Sequence, residues 1–207
     1  ISVIMSTFNP GEELEDAMDS IFSQTLIPNE IILIDDGSNK FGKKRIEQLL
    51  KKYKNSKLKL FVNTKNIGLT KSLIKGVNLS SSDFIARIDS DDIWHKDKLK
   101  IQITLMKKNN WCFSHTSYGY ISEKGETIKS TFHVSNKPVT YSRLLKRTEI
   151  SCLTAVYDQE LIGKFYMSNH KNKQDYFLWL SILKRGNKSY PIDTELGFYR
   201  QRKNSNT

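Results

Sequence analysis

Short apolar runs alternate with amphipathic segments through the first half of the chain. Four short, mainly apolar runs predict strands at residues 1–5, 31–34, 58–62 and 84–88. Residues 14–22, 46–53, 70–79 and 98–108 carry apolar positions at the i, i+3, i+4 and i+7 spacing of a helix. This order predicts an α/β fold with a mostly parallel central sheet that helices cover on both faces.

The second half of the chain has a less regular pattern. Residues 111–120, 152–157, 190 and 196–199 predict strands, while residues 141–148 and 175–184 predict helices. A chain of 207 residues can bury one sizeable core, so we expect a single domain over residues 1–207. In such sheets ligands bind at the carboxyl ends of the strands, which makes the segments after each strand the candidate site.

Polar segments follow all four strands of the first half, and one is strongly acidic. Asp89, Asp91 and Asp92 place three carboxylates within four residues, which repel one another unless a cation neutralises them. Oxygen ligands of this kind suit Mg²⁺ or Mn²⁺, which also bridge phosphate oxygens. The alternative is a helix cap at Asp92, which explains only one of the acids.

Two further segments have weaker signals. The Asp35-Asp36-Gly37-Ser38 segment is compatible with an ordinary turn, although its position after a strand favours a role in the site. Phe8 follows the first strand and is compatible with either base stacking or a place in the core. The chain contains neither a P-loop lysine motif nor GxGxxG, so neither an NTPase nor an ordinary dinucleotide site is indicated.

The net charge of +11 is concentrated in residues 40–59, where Glu47 is the only acid. A solvated helix face explains any single lysine, and no nucleic-acid-binding motif accompanies the stretch, so we expect no nucleic-acid partner. A weak contact with an anionic membrane fits the charge better. No apolar run of about 18 residues could cross a membrane. Cys112 and Cys152 are expected to be reduced core thiols of a cytoplasmic protein.

Several segments occur in an order that is typical of one enzyme family. They are residues 1–9, 23–25, 30–38, 66–69, 85–92, 174–180 and the pair Tyr199-Arg200. Together they resemble family 2 of the inverting glycosyltransferases, which adopt the GT-A fold. The resemblance implies a metal-dependent enzyme that moves a sugar from a UDP-sugar to an acceptor hydroxyl, in assembly of a bacterial surface polysaccharide such as O-antigen or capsule. It implies a nucleotide-sugar-binding half, 1–110, and an acceptor-binding half, 111–207.

The resemblance also implies residue roles. Phe8 would stack on the donor base, Asp36 would accept a hydrogen bond from uracil N3, and Asp175 would be the catalytic base. Asp91 would ligate Mn²⁺ or Mg²⁺, and Asp89 would face the ribose and the metal. The other donor-binding residues that it implies are Thr7, Asn9, Asn66, Lys71, Arg87, Ser90, Arg200 and Arg202.

Two positions depart from the family pattern. Gln174 stands where the family usually has a glutamate before the base. Arg202 stands where the family often has a histidine; an arginine cannot ligate a cation but can pair with phosphate oxygens.

The expected acceptor is a saccharide or a lipid-diphosphate-linked saccharide, which would place the enzyme in the cytoplasm, peripherally at the inner face of the cell membrane. Two alternatives remain at this point. A nucleotidyltransferase of similar fold would need a glycine-rich loop after the first strand, which residues 6–11 do not supply. A non-enzymatic basic module that binds membrane or nucleic acid would leave the acidic segments unexplained.

Overall fold

The computed structural model describes residues 1–54, 57–168 and 173–202, and within them the chain forms one sheet of nine strands. The strands are β1 (Ser2–Thr7), β2 (Glu30–Asp35), β3 (Leu58–Val62), β4 (Phe84–Arg87), β5 (Ile93–Trp94), β6 (Phe113–Ile121), β7 (Thr127–Phe132), β8 (Val156–Asp158) and β9 (Tyr190–Arg200). The helices are α1 (Glu13–Phe22), α2 (Lys40–Lys52), α3 (Leu69–Leu79), α4 (Lys98–Asn109), α5 (Tyr141–Leu144), α6 (Gln159–Ile162) and α7 (Gln174–Lys184).

The sheet is parallel where the chain begins and becomes mixed further along. Its strand order is β3-β2-β1-β4-β8-β6-β9-β5, with β7 paired to β6. Strands β1 to β4 pair in parallel, whereas β8 is antiparallel to both β4 and β6, and β9 runs parallel to β6. The predicted α/β fold is therefore confirmed, and the antiparallel strands lie in the less regular second half.

Helices cover both faces of the sheet because alternate residues of each strand point to opposite faces. Val3 and Met5 on β1 pack into one core together with the apolar faces of α1, α2 and α4. Ile4, between them in sequence, packs into a second core with α3, α5 and α7. All six residues of β1 and of β2 are buried, which accounts for the consecutive apolar residues at 3–5 and 31–34.

Several predicted elements of the second half have different bounds. Residues 152–157 were expected to form a strand, but Cys152–Thr154 is a 3-10 turn and the strand is limited to Val156–Asp158. The two short strands expected at 190 and 196–199 are one continuous strand, β9. The helix expected at 141–148 ends at Leu144. Strands β5 and β7 and helix α6 have no counterpart among the predicted elements.

The carboxyl ends of β1, β2 and β4 lie side by side at one edge of the sheet. The register pairs Thr7 with Asp35 and Ile4 with Arg87, so the segments after these three strands emerge together. This edge gathers the polar segments that the sequence singled out.

Candidate functional site

The segments after β1 and β2 hold each other in place through Asn9. Its backbone has a φ of 50°, a left-handed conformation in which asparagine is enriched. The Asn9 amide donates to Ser38 Oγ at 2.9 Å, and the Asn39 amide donates to Asn9 Oδ1 at 2.8 Å. Asn9, expected to bind the donor, is exposed and connects the two segments.

Asp36 organises the segment that precedes α3. Its buried carboxylate accepts hydrogen bonds from the Asn63 side chain at 2.9 Å, the Ile67 amide at 2.9 Å and the Gly68 amide at 2.8 Å. A carboxylate has about four acceptor positions, so one remains for a ligand. Gly37 follows with a φ of +76°, and a Cβ there would lie 2.4 Å from the carbonyl carbon of Lys65. Only glycine allows this close approach.

A cavity of about 410 Å³ opens at this edge of the sheet. It brings together seven of the residues that were expected to bind the donor or a metal. Three further lining residues, Ser6, Gly68 and Leu69, were not among the predicted site residues. The lining residues are Ser6, Thr7, Phe8, Asp36, Asn66, Gly68, Leu69, Asp89, Ser90 and Asp91. We call it the donor cavity. Phe8 is 50% exposed on its wall and is therefore not a core aromatic.

The acidic segment, residues 89–92, contributes three lining residues to the donor cavity, and the pKa values of its three carboxyl groups are raised. Burial and the Asp91 carboxylate together raise the pKa of Asp89 to about 6. Burial also raises the pKa of Asp91, although Arg202 opposes the shift. The pKa of Asp92 is raised well above its ordinary value by burial and by its two acidic neighbours. Asp92 is a structural acid, since its Oδ1 accepts the Arg200 amide at 3.0 Å.

Two arginines from the end of the chain reach this segment in different ways. Arg200 is buried, and its guanidinium donates to the carbonyl oxygens of Asp91 at 2.7 Å and Glu123 at 3.0 Å and to Asp16 at 2.8 Å. This arrangement fixes the backbone of the acidic segment. Arg202 is more exposed, and its Nε lies 3.0 Å from Asp91 Oδ2.

Arg87 and Lys71 lie outside the lining of the donor cavity. Arg87 is buried on β4, where its Nη2 lies 3.0 Å from Met167 Sδ and its Nε has no hydrogen-bond partner within the described ranges. The charge of Arg87 acts on both Asp89 and Asp175, lowering the pKa of each against the effect of burial. Lys71 is exposed on the first turns of α3.

A second cavity, of about 770 Å³, adjoins the first at Leu69 and Asp89. We call it the inner cavity. Its lining residues are Leu69, Leu73, Asp89, Asp92, Thr148, Ser151, Cys152, Met167, Lys173, Gln174, Asp175, Tyr176 and Tyr199. Most of these come from the second half of the chain. Sequence analysis singled out Asp175 and its neighbours Gln174 and Tyr176, together with Tyr199, whereas Thr148, Ser151, Met167 and Lys173 were not predicted to belong to a site. Cys152 and Cys112 are both free thiols, and Cys152 lines this cavity.

Asp175 lies in the first turn of α7, partly buried against the inner cavity. Its Oδ1 accepts the backbone amide of Tyr176 at 2.8 Å. Burial raises the pKa of Asp175 above its ordinary value. A carboxylate with a raised pKa in a cavity has the properties of a general base.

The acidic residues fit a divalent cation that completes its shell with substrate. Magnesium sites commonly use one or two carboxylates together with phosphate oxygens and water. Asp89 and Asp91 line the donor cavity, and the Asp91 side chain is 29% exposed. Within the described residues no group of three or more His, Cys, Asp or Glu side chains forms a ready-made cage. Phosphate oxygens of a bound nucleotide would therefore supply the remaining ligands.

Comparison with known proteins identifies the class of enzyme that this sheet and these two cavities define. The model of Glycosyl transferase family 2 matches residues 2–168. TuaG of Bacillus subtilis, a glycosyltransferase named for teichuronic acid biosynthesis, is 32% identical over 99% of this chain and 80% of its own length. WfgD of Escherichia coli, named as a UDP-Glc:α-D-GlcNAc-diphosphoundecaprenol β-1,3-glucosyltransferase, is 34% identical over 90% of this chain and 71% of its own.

A solved structure shares the fold. The chain matches Staphylococcus aureus TarS in complex with UDP-GlcNAc with a TM-score of 0.78 at 20% identity, and it covers 59% of that chain. The GT-A fold predicted from the sequence is thereby confirmed. The protein belongs to glycosyl transferase family 2, and it is a glycosyltransferase.

Proposed function

We propose that this glycosyltransferase moves a sugar from a UDP-sugar to an acceptor hydroxyl with inversion at the anomeric carbon, and that it depends on Mn²⁺ or Mg²⁺. The observation that carries the proposal is the junction of two cavities at Asp89. The donor cavity has an exposed aromatic ring, Phe8, and the Asp36 carboxylate. The inner cavity has Asp175, whose burial raises its pKa.

The donor would lie along the edge of the sheet. The base stacks on Phe8, and uracil N3–H donates to the acceptor position that remains on Asp36. Thr7, Asn66 and Ser90 border the nucleotide. Asp91, with Asp89 beside it, would hold the Mg²⁺ or Mn²⁺, whose charge would stabilise the departing diphosphate.

The acceptor would enter the inner cavity. Asp175 removes the proton from the attacking hydroxyl, since a carboxylate with a raised pKa is a stronger base than an ordinary aspartate. A single displacement from the face opposite the diphosphate inverts the anomeric carbon, so an α-linked donor gives a β-glycoside. Arg202 exchanges its contact with Asp91 for the diphosphate, and Lys71 borders the same region. Arg87 balances part of the negative charge of Asp89. Arg200 fixes the backbone of the acidic segment through the Asp91 carbonyl.

The two halves of the chain would bind different substrates. Residues 1–110 supply the nucleotide-sugar side and residues 111–207 supply most of the acceptor side. The E. coli relative is named for a diphosphoundecaprenol-linked acceptor, and we extend a lipid-diphosphate-linked saccharide acceptor to this enzyme. In the described part of the chain no helix is long and apolar enough to cross a membrane. The basic face of α2 would provide a weak contact with the inner face of the cell membrane, in the assembly of a surface polysaccharide.

Turnover of a panel of UDP-sugars with saccharide acceptors and Mn²⁺ tests this function. Release of UDP together with a glycosylated product supports it. A parallel assay supplies a nucleoside triphosphate and a sugar phosphate, from which a nucleotidyltransferase would release pyrophosphate. Release of pyrophosphate, or no turnover of any UDP-sugar, contradicts the proposal.

A further inference from the structure

A third cavity, of about 180 Å³, adjoins the inner cavity on the far side of Asp175. Its lining residues are Tyr118, Phe132, Thr148, Glu149, Ile150, Ser151 and Asp175. Three of them, Thr148, Ser151 and Asp175, line the inner cavity as well. A molecule with one hydroxyl at Asp175 can therefore extend into this third cavity.

Strand pairing builds a row of aromatic rings that connects the two cavities. Tyr118 on β6 lies opposite Phe132 on β7, and their rings stack with centroids 5.1 Å apart. Tyr120 contacts Tyr118 edge-on at 5.4 Å and lies opposite Tyr199 on β9, with centroids 6.2 Å apart. Tyr199 lines the inner cavity, while Tyr118 and Phe132 line the third. All four rings are partly exposed.

This combination of surfaces suits a sugar ring. A pyranose presents an apolar face of C–H bonds and a rim of hydroxyls, so it packs on an aromatic ring while polar groups bind its rim. Tyr118 and Phe132 supply aromatic surface, and Thr148 and Ser151 supply hydroxyls. The cavity has room for about one such ring.

The charges around the cavity favour a neutral sugar. Among its described lining residues there is no lysine or arginine, while Glu149 and Asp175 are acids. Arg143 Nη2 lies 2.9 Å from the Glu149 carboxylate, and Arg143 therefore pairs with this acid. Arg147 Nε also lies 3.8 Å from the Glu149 carboxylate, and the two arginines lower the pKa of Glu149 against the effect of burial. The described lining therefore presents no cation that would pair with a sugar carboxylate.

We propose that the third cavity binds a second, neutral sugar ring of the acceptor, so that the enzyme recognises at least a disaccharide. The proposal rests on the proposed function, because it places the reacting acceptor hydroxyl at Asp175. Phe132 is the residue that tests it best, since it lies on the edge strand β7 and is partly exposed. Tyr190 is a matched control: it stacks on Trp111 with centroids 4.6 Å apart and lines none of the three cavities.

The experiment measures KM for two pairs of acceptors, each presented as an alkyl diphosphate. Within each pair a monosaccharide is compared with its disaccharide: glucose with cellobiose, and N-acetylglucosamine with chitobiose. The native enzyme is expected to have a KM about fivefold lower for the disaccharide of the pair it uses, the worth of one aromatic contact. Phe132→Ala should raise KM for the disaccharide to that for the monosaccharide, whose own KM stays unchanged. Tyr190→Ala should keep the lower KM for the disaccharide. Equal KM values in the native enzyme overturn the proposal. An equal rise for both acceptors in Phe132→Ala also overturns it, because the first sugar would then occupy the cavity.

A binding measurement separates this subsite from the proposed function. Saturation-transfer NMR on the UDP-bound protein detects which ring of cellobiose or chitobiose contacts the protein, whether or not transfer occurs. Contact of both rings, reduced to one ring in Phe132→Ala, supports the subsite even if no UDP-sugar turns over. Absence of contact with either disaccharide, or equal contact with the uronic acid analogue of cellobiose, overturns it.

Discussion

Asp175 is the single residue whose chemistry most directly tests the proposed reaction. Asp175→Asn is expected to lower turnover by about 10²–10⁴, because the base is lost. UDP affinity and the melting temperature should change little, since asparagine is also tolerated at a helix start. Turnover, UDP calorimetry and thermal melts measure the three quantities.

Asp158 offers a matched control for that substitution. It is the last residue of β8 and the N-cap of α6, where its Oδ1 accepts the amides of Glu160 at 3.0 Å and Leu161 at 3.1 Å. Asp158→Asn removes the same charge from another helix start and should leave turnover unchanged. Near-native turnover of Asp175→Asn would show that the base lies elsewhere.

Asp91 carries the second prediction, which concerns the metal. Asp91→Asn should abolish Mn²⁺ binding to the UDP complex, measured by electron paramagnetic resonance, and nearly abolish turnover. Chelation with EDTA should have the same effect on the native enzyme, reversed by Mn²⁺ or Mg²⁺. Asp97→Asn is the control, because Asp97 lies a short distance along the chain and bonds Thr25 Oγ1 at 2.8 Å. Full turnover in EDTA would refute the metal assignment.

At the scale of elements, the segment between β3 and α3 depends on Asp36. Asparagine has a single acceptor oxygen in place of two, so Asp36→Asn leaves at least one of the Ile67 and Gly68 amides without its partner. We expect UDP affinity to fall by about tenfold or more, the cost of a lost hydrogen bond to a charged group. The native enzyme should bind UDP more tightly than CDP, whose cytosine N3 has no proton to donate. Equal affinities in calorimetry would contradict the role of Asp36.

Helix α4 contains a buried lysine that makes stability depend on pH. Lys98 is 0% exposed, and its Nζ contacts Gln102 Oε1 at 2.5 Å and the Thr154 carbonyl at 3.2 Å. Burial lowers the pKa of Lys98 to about 7, against about 10.4 in an unfolded chain. Between these values the unfolded chain binds more protons, so this group makes the free energy of unfolding rise with pH.

Lys98→Met removes this titration. From pH 7 to pH 9 the native protein should gain stability relative to the variant by up to about 1.4 kcal/mol per pH unit. Urea unfolding at pH 7, 8 and 9 measures the difference. Lys100→Met, an exposed change in the same helix, should give a profile parallel to the native one. A parallel profile for Lys98→Met would mean that the lysine keeps its ordinary pKa.

The elements that the sequence predicted well are those that burial defines. Strands β1 and β2 are buried along their whole length, so each has consecutive apolar residues at its centre, at 3–5 and 31–34. Strand β7 is an edge strand with half of its residues exposed, and its sequence is mostly polar, so no apolar run marks it. Strand β5 has only two residues, too few to form a recognisable pattern. Strand β9 was divided because exposed Asp193 and Thr194 interrupt its apolar pattern where its register with β6 shifts.

The same contrast applies to the site. The donor cavity is built from segments that directly follow predicted strands, so residue order alone placed Phe8, Asp36 and Asp91 together. The lining of the inner cavity comes from α3, from the acidic segment and from separate parts of the second half of the chain, including α7 and β9. No local sequence pattern encodes that combination. The contact between Arg200 and Asp16 is of this kind, since 184 positions separate the two residues.

At the scale of the whole molecule, the positive charge has a defined location. Lys40, Lys44 and Lys51 are exposed on α2 at spacings of four and seven residues, which places them on one face. Replacing all three with glutamine should weaken sedimentation with phosphatidylglycerol vesicles by about 1 kcal/mol per lysine. Binding of the native protein should also fall as salt is added, because ions screen exposed charges.

A second triple variant separates this face from net charge alone. Lys124, Lys129 and Lys137 are exposed in and around β7 and are not part of α2. Replacing them with glutamine removes the same charge and should leave vesicle binding largely intact. Equal losses in the two variants, or equal binding to neutral phosphatidylcholine vesicles, would refute a membrane contact through α2.

The anchoring of Arg200 has a consequence for the order in which the site forms during synthesis. The backbone amide and guanidinium of Arg200 hold Asp92, the Asp91 carbonyl and Asp16, and β9 pairs with both β5 and β6. A ribosome-bound chain that still lacks β9 has the residues that line the donor cavity but not the contacts that fix their acidic segment. We therefore expect the proposed nucleotide site to be complete only after β9 has left the exit tunnel, although the residues that line the donor cavity are all made earlier.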